Sequence, residues 1–517
     1  MEANLFAQDD WKITPRLTLN LGFRYERLGD ISDAGGRNTA FDIARANRNP
    51  PASGTLAGYT VPSNYTGQLP DGVVRLDNSV GIKGLGQNTW NPQAGFAWQL
   101  PRTNRVVLRG GYGIFHSRYT GQPLIQSLSA PPFAVARLFM TTTNATATLA
   151  NPFPATLPQL PSFPPYSPTT SSTPYQGFSQ NFRPPTFYRY SMDAQIQLGK
   201  DFLWDIGYVG SQAVDLSQQW YPNQAQLAGP SNPIRGVTTN TVKNVPLRVP
   251  YEGISIPGLL LIDSRGQSWY NALVTSLSKR FSHGLLFQAS YTYARDLTTE
   301  PGVASNSNGA AIAYGDQYNP SQHYGPDAFV REHRLIVSYV YELPHLSNPQ
   351  SFAGRLVDGW TVSGVVTAQS GQRLFATYTN ASNVYGISRD RPNFVSGCNV
   401  ALSGSVQSRL AGYFNTSCYA KPTIVGDDNI ATTFGNAPIG NIIGPREVNV
   451  DLSIGKRIAI PWPNDAARLE LRAEAFNAFN HPEFSNPGTT FGGGTFGQIL
   501  FTAVTPRIMQ FALKYRF

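Results

Sequence analysis

Between Arg468 and Glu474 a charge stands at every second position: Arg468, Glu470, Arg472 and Glu474. Leu469, Leu471, Ala473 and Ala475 fill the places between and after them. In an extended chain side chains alternate sides, so this spacing puts all four charges on one face. Such a row can form ion pairs with neighbouring strands along a wet surface. Facing a dry core, it would carry a heavy desolvation cost. The solvated face of a soluble sheet meets the same requirement, and Arg, Leu, Glu and Ala also favour helices. The strict period of two favours a strand.

Cys398 and Cys418 are the two cysteines of the chain, in a segment rich in Gly, Ser and Asn with no CxxC pattern. A disulfide in an oxidising compartment is favoured over two free thiols. It would close a loop of about twenty residues and stabilise it by about 3 kcal/mol.

Other chemistry is weakly supported. His116, His283, His323, His333, His345 and His481 are dispersed. Glu332-His333 lacks the second histidine of a metal-binding HExxH. The run Gly492-Gly493-Gly494-Thr495-Phe496-Gly497 matches GxGxxG in form only, since no helix pattern follows it. There is no GxSxG elbow and no phosphate-binding Walker loop. Asp427-Asp428-Asn429 reads as a solvated turn in preference to a calcium site. No catalytic, cofactor or metal site is expected, and no enzyme.

The elements that would carry the charged row are strands. From Arg507 the chain alternates to its end: Met509, Phe511, Leu513, Tyr515 and Phe517 on one side, Gln510, Lys514 and Arg516 on the other. The same period recurs in Leu17-Leu19-Leu21-Phe23-Tyr25, in Leu285-Phe287-Ala289-Tyr291-Tyr293 and in Val448-Val450-Leu452-Ile454. Roughly thirteen strands are predicted, near 3–12, 16–28, 92–101, 104–115, 186–198, 202–212, 268–280, 284–295, 331–343, 358–370, 447–460, 466–479 and 505–517. A strand tilted through a bilayer needs about 9–11 residues. An ordinary edge strand of a soluble protein is the competing reading of 507–517 taken alone.

Composition agrees with such a chain. Among 517 residues there are 48 Gly, 40 Pro, 25 Tyr and 29 Phe, and 14% are charged. The net charge of +9 is scattered, so nucleic acid is not an expected partner. No apolar run of about 18 residues is present to form a spanning helix, but barrel strands alternate and average to near-neutral hydropathy. The first residues lack a leader's basic and apolar regions.

The connections carry more information than the strands. Short ones fall near Thr14-Pro15-Arg16, Pro101 to Asn104, Gly199-Lys200-Asp201, Phe281-Ser282-His283 and Pro461 to Asp465, with a longer one at Pro344 to Asp358. Between them lie loops over about 29–91, 116–185, 213–267, 296–330, 371–446 and 480–504. Compact soluble domains rarely hold one such loop. Short turns on one rim and long loops on the other are the layout of outer-membrane barrels. An odd strand count beginning at the outer rim implies missing upstream strands. The prolines of 151–185, from Pro152 to Pro174, fit a stiffened external loop. Its Tyr166, Tyr175, Phe178 and Phe182 would stack on a ligand or pack on one another.

Several stretches are familiar in sequence. Phe6-Ala7-Gln8-Asp9-Asp10-Trp11 running through Thr14-Pro15-Arg16-Leu17-Thr18-Leu19-Asn20 to Arg24-Tyr25-Glu26 resembles a hairpin of TonB-dependent outer-membrane receptors. Arg109-Gly110-Gly111-Tyr112-Gly113, Ser290-Tyr291-Thr292-Tyr293-Ala294, Glu474-Ala475-Phe476-Asn477-Ala478-Phe479-Asn480 and Pro506-Arg507-Ile508 follow in the order of the large Oar-like branch. The resemblance implies an all-β, transmembrane antiparallel barrel of about twenty-two strands. Residues 1–517 would be its carboxy-terminal part, without plug, early strands or signal peptide. It implies a location in the outer membrane, with lipid, the barrel-assembly machinery and, through the missing plug, the TonB complex as partners. Leu513, Tyr515 and Phe517 then resemble the signal read by that machinery, and Arg468, Glu470, Arg472 and Glu474 face the lumen. The implied function is uptake of an external nutrient such as an oligosaccharide, peptide or chelate. This portion alone would not be competent for it. An adhesion or assembly barrel without transport, and a secreted lectin or hydrolase, are the alternatives; the last needs a fixed repeat, and none is seen.

Overall fold

The structure is a computed structural model. It describes residues 3–29, 35–46, 56–76, 87–117, 131–133, 150–151, 163, 175–179, 182–251, 256, 259–300, 311–344, 357–380, 383–423, 433–460, 462, 464 and 466–517. Among the described residues, thirteen long strands form the path of one sheet. They are β1 (Ala3–Thr14), β2 (Leu17–Arg27), β3 (Asn88–Gln99), β4 (Val106–His116), β5 (Thr186–Leu198), β6 (Phe202–Trp220), β7 (Leu259–Ser282), β8 (Leu285–Thr298), β9 (His333–Glu342), β10 (Trp360–Gln369), β11 (Glu447–Ala459), β12 (Arg468–Phe476) and β13 (Ile508–Arg516). Each pairs antiparallel with its sequence neighbours. All thirteen predicted strands are present, and 468–476 is strand, not helix.

Because strand direction alternates along this meander, the short connections share one rim and the long ones the other. The β7–β8 turn shows the local chemistry. His283 (φ 51) and Gly284 (φ 74) are both left-handed, as a two-residue turn matching the strand twist requires. A Cβ on Gly284 would fall against the Glu342 carbonyl, so glycine is required twice over.

The two faces differ consistently from strand to strand. Register joins Leu19 to Phe96, Ala194 to Ile206, Leu273 to Tyr293, Leu335 to Ala368 and Leu471 to Leu513 on one face. Large apolar side chains there lie open, Leu513 at 68% and Phe511 at 74% exposure. Aromatic residues collect near its two ends: Tyr25, Trp90 and Tyr208 toward the long loops, Trp11, Trp98 and Trp360 toward the short turns. An exposed apolar band with aromatic girdles suits hydrocarbon flanked by two interfaces.

One row shows how cations are kept out of that band. Arg446, just ahead of β11, is followed on the same side by Val448, Val450, Leu452, Ile454 and Lys456. At the short-turn rim, Lys456 turns its Nζ to the Asp358 carbonyl and sits 5.0 Å from the Trp360 ring centre. Lys279 does the same, donating to the Leu285 carbonyl at 2.9 Å. Both keep their stems on the apolar band and their charges at its edge.

Two features bear on the expected pattern. First, β6 continues to Trp220 and β7 begins at Leu259, well past the predicted limits of 212 and 268. The extension starts at a bulge where Asp215 takes φ 58. Leu259, Leu260, Leu261 and Ile262 are all buried, so both sides are covered and alternation disappears. Second, the path ends at β1 and β13, and no pairing joins these two among the described residues.

Candidate functional site

The opposite face of the sheet is polar. Arg468, Glu470, Arg472 and Glu474 lie on it, opposite Arg516, Lys514, Ala512 and Gln510 of β13. Glu470 stands 3.4 Å from both Arg468 and Arg516, and Arg472 is 3.6 Å from Glu474. The pattern spreads around the wall. Arg109 of β4 reaches Asp193 at 3.8 Å and Gln195 at 2.9 Å, and Gln195 donates to Asp205 at 2.9 Å. Arg24 pairs with Glu26 at 2.8 Å, and Asn20 donates to Asp10 at 2.6 Å. These groups are partly hydrated, so each pair is worth at most about 1 kcal/mol. Their collective effect is a wettable surface studded with both charge signs.

At the long-loop rim the connections fold on themselves. One cluster joins Phe41, Tyr59, Val61 and Tyr251 to Leu259 and Leu261 at the outer end of the β7 extension. A second collects Leu374, Tyr413, Phe414, Tyr419, Ile442 and Ile499. The glycine run 492–497 delivers Phe496 into it, 5.2 Å from Phe414 and 5.6 Å from Tyr419. That run is a turn presenting an aromatic ring, with no helix behind it. A third cluster holds Ala225, Val249, Ile256 and Ile387, beside the stacked rings of Tyr385 and Phe434 at 4.1 Å.

Cys398 and Cys418 are disulfide-bonded, with Cα atoms 5.4 Å apart and Cys418 fully buried in the second cluster. Replacing both by alanine is expected to weaken that loop by about 3 kcal/mol. Limited proteolysis within 395–420 reads the effect, and unchanged cleavage would refute it.

Sequence reasoning missed the buried polar groups of these loops. Arg248 is 0% exposed and donates to the Thr241 and Val384 carbonyls at 3.1 and 2.6 Å, to the Gln226 carbonyl, and to Asn244 Oδ1 at 2.7 Å. It stitches 221–251 to 370–446. Asp390 accepts from the backbone N–H of Arg391 at 2.7 Å and of Gly435 at 3.1 Å. Burial nonetheless pushes its carboxyl up to about 6. Burial, reinforced by Arg391 and Arg265, holds the His323 imidazole down to about 3. Nothing in a loop arginine or histidine read as sequence marks it for burial.

The signs of these shifts differ. His323 stays neutral when folded but charges when unfolded, so its contribution is lost as pH falls from 6.5 toward 3. Asp390 runs the other way, favouring the fold as pH falls from 6 toward 4. His323→Gln should therefore lose less loop protection than the parent between pH 7.5 and 5, by roughly 2 kcal/mol. Hydrogen exchange in 313–330 measures this, and parallel pH profiles would refute it.

Leu513 and Tyr515 lie on the apolar face, opposite Leu471 and Leu469, and Phe517 follows the last paired residue at 79% exposure. Phe182 is fully buried. The loop prolines from Pro152 to Pro174, Tyr166, His345 and Asp427-Asp428-Asn429 lie outside the described residues.

Several solved structures are similar to this chain at low identity. The outer membrane transporter YddB from Escherichia coli is 9% identical, with 99% of this chain and 44% of that one covered at a TM-score of 0.43. The siderophore receptor PiuA from Acinetobacter baumannii is 10% identical, with 99% and 42% covered at 0.40. The ferric-catecholate import receptor Fiu from Escherichia coli K12 is 10% identical, with 100% and 44% covered at 0.41. The chain spans less than half the length of each. No curated protein sequence matches it. A model of the outer membrane beta barrel domain family matches residues 1–510, and the chain belongs to that family.

Proposed function

We propose that this outer-membrane barrel chain forms the larger part of the wall of a receptor for TonB-energised uptake of an external nutrient, in the class of an oligosaccharide, peptide or chelate. The observation that carries this reading is the pairing of a charged, wettable face with a structured loop cap at one rim. Arg468, Glu470, Arg472 and Glu474 then line a hydrated lumen, with the cap over its mouth.

The reading includes further strands. A backbone edge left unpaired in hydrocarbon costs several kcal/mol per group. The edges at β1 and β13 therefore support completion by additional strands, toward about twenty-two in all, with a plug inside. Leu513, Tyr515 and Phe517 serve as the barrel-assembly signal.

The test is uptake by cells carrying the gene with its upstream coding region, with and without TonB. A nutrient whose uptake needs both supports the reading. Uptake unchanged by loss of TonB, or a chain recovered in the soluble fraction, would overturn it.

A further inference from the structure

A cleft of about 710 Å³ opens where the apolar face meets the loop cap. On its sheet side stand Tyr291, His333 and Val448, members of the apolar rows. Arg409 and Tyr413 of the loop after β10 face them, and Arg446 lies at the head of the β11 row. No carboxylate lines the cleft among the described residues. Of the acids next to lining residues in sequence, Glu332 pairs with Arg373 at 2.9 Å, and Glu447 accepts at 2.6 Å from Gln369, itself a lining residue.

The cations differ in how they are held. Arg409 donates to the carbonyls of Ser405 at 3.3 Å and Tyr413 at 2.9 Å, and its guanidinium lies 4.9 Å from the Tyr413 ring centre. It is fixed in place. Arg446 is exposed and makes no hydrogen bond or ion pair with a described residue. Tyr291 Oη and His333 Nδ1 stand 2.8 Å apart and add polar atoms at the same level. Below them Leu335 and Val448 continue into the hydrocarbon-facing wall.

Cations above an apolar slope complement an amphiphile with an anionic head. Arginine suits phosphate because its fork can donate two parallel hydrogen bonds. We propose that this cleft binds the phosphorylated headgroup of a lipid in the outer leaflet, with Arg409 and Arg446 holding phosphate and the acyl chains lying along the β8–β11 rows. The site stands outside the barrel wall and is independent of any nutrient path.

The test uses the whole folded chain in detergent, by native mass spectrometry. The probes are a bisphosphorylated diglucosamine lipid, its dephosphorylated form, and inorganic phosphate as competitor. The phosphorylated lipid should bind at least about tenfold more tightly than the dephosphorylated one. R409Q/R446Q should lose about tenfold, and R446Q alone part of that. R446Q removes an exposed, unpaired side chain, so it keeps the assay valid if the double variant folds poorly. Equal binding of the dephosphorylated lipid would overturn the proposal. So would R446Q binding as the parent does, or displacement of the lipid by inorganic phosphate at equal concentration.

Discussion

Arg248→Ala is expected to loosen the loop cap by about 3–5 kcal/mol, while leaving the thirteen-strand sheet intact. The guanidinium is fully buried and serves carbonyls on two loops distant in sequence, Gln226 and Thr241 on one side and Val384 on the other. Alanine would leave those acceptors without their donor and out of reach of bulk water. Lysine restores the charge but not the fork, so Arg248→Lys should recover part of the loss. Protease cleavage within 221–251 and 383–423 should rise steeply in Arg248→Ala, with the heat-modifiable gel shift of the sheet retained. Equal cleavage of parent and variant would show that the stitch contributes nothing.

A comparable effect is expected from a charge placed on the apolar face. Leu452 and Ser453 are neighbours on β11 that face opposite ways: Leu452 pairs with Ala475 and Gly364, Ser453 with Glu474 and Ser363. Leu452→Arg puts a guanidinium near the middle of the hydrocarbon band, at a cost of about 2–4 kcal/mol. Ser453→Arg places the same group beside the Glu474 carboxylate on the hydrated side, where the change should be within about 1 kcal/mol. Folding titrations into phosphatidylcholine vesicles would separate the two. Similar penalties for both would collapse the assignment of the faces.

The strands were legible because each carries one apolar and one polar side, a signal that survives without any tertiary knowledge. Rows such as Leu469-Leu471 and Arg468-Glu470 needed only the period of two. The β6–β7 extension was not legible, since Leu259 to Ile262 are covered on both sides and the alternation that defines a half-exposed strand vanishes. The cap was the least legible part. Its strands are as short as Ala40–Phe41 and Arg373–Leu374, too brief for periodicity. Its cohesion comes from residues far apart in sequence, such as Phe414 with Phe496. The disulfide was readable because only two cysteines compete for partners; Arg248 and His323 were not, because burial of a polar side chain is decided by loops that close over it.

The cation-bounded row of β11 sets a ruler for the bilayer. From Arg446 to Lys456 the chain advances roughly 33 Å at about 3.3 Å per residue. A tilt near 40° reduces that to a vertical span of about 25 Å. A membrane a few Å thicker would draw one end's charge beneath its surface, and a thinner one would strand valine and isoleucine in water. Mismatch costs only fractions of a kcal/mol per Å, but every strand of the wall feels it together. The protein should therefore partition toward thin membranes, with its height fixed by the chain itself.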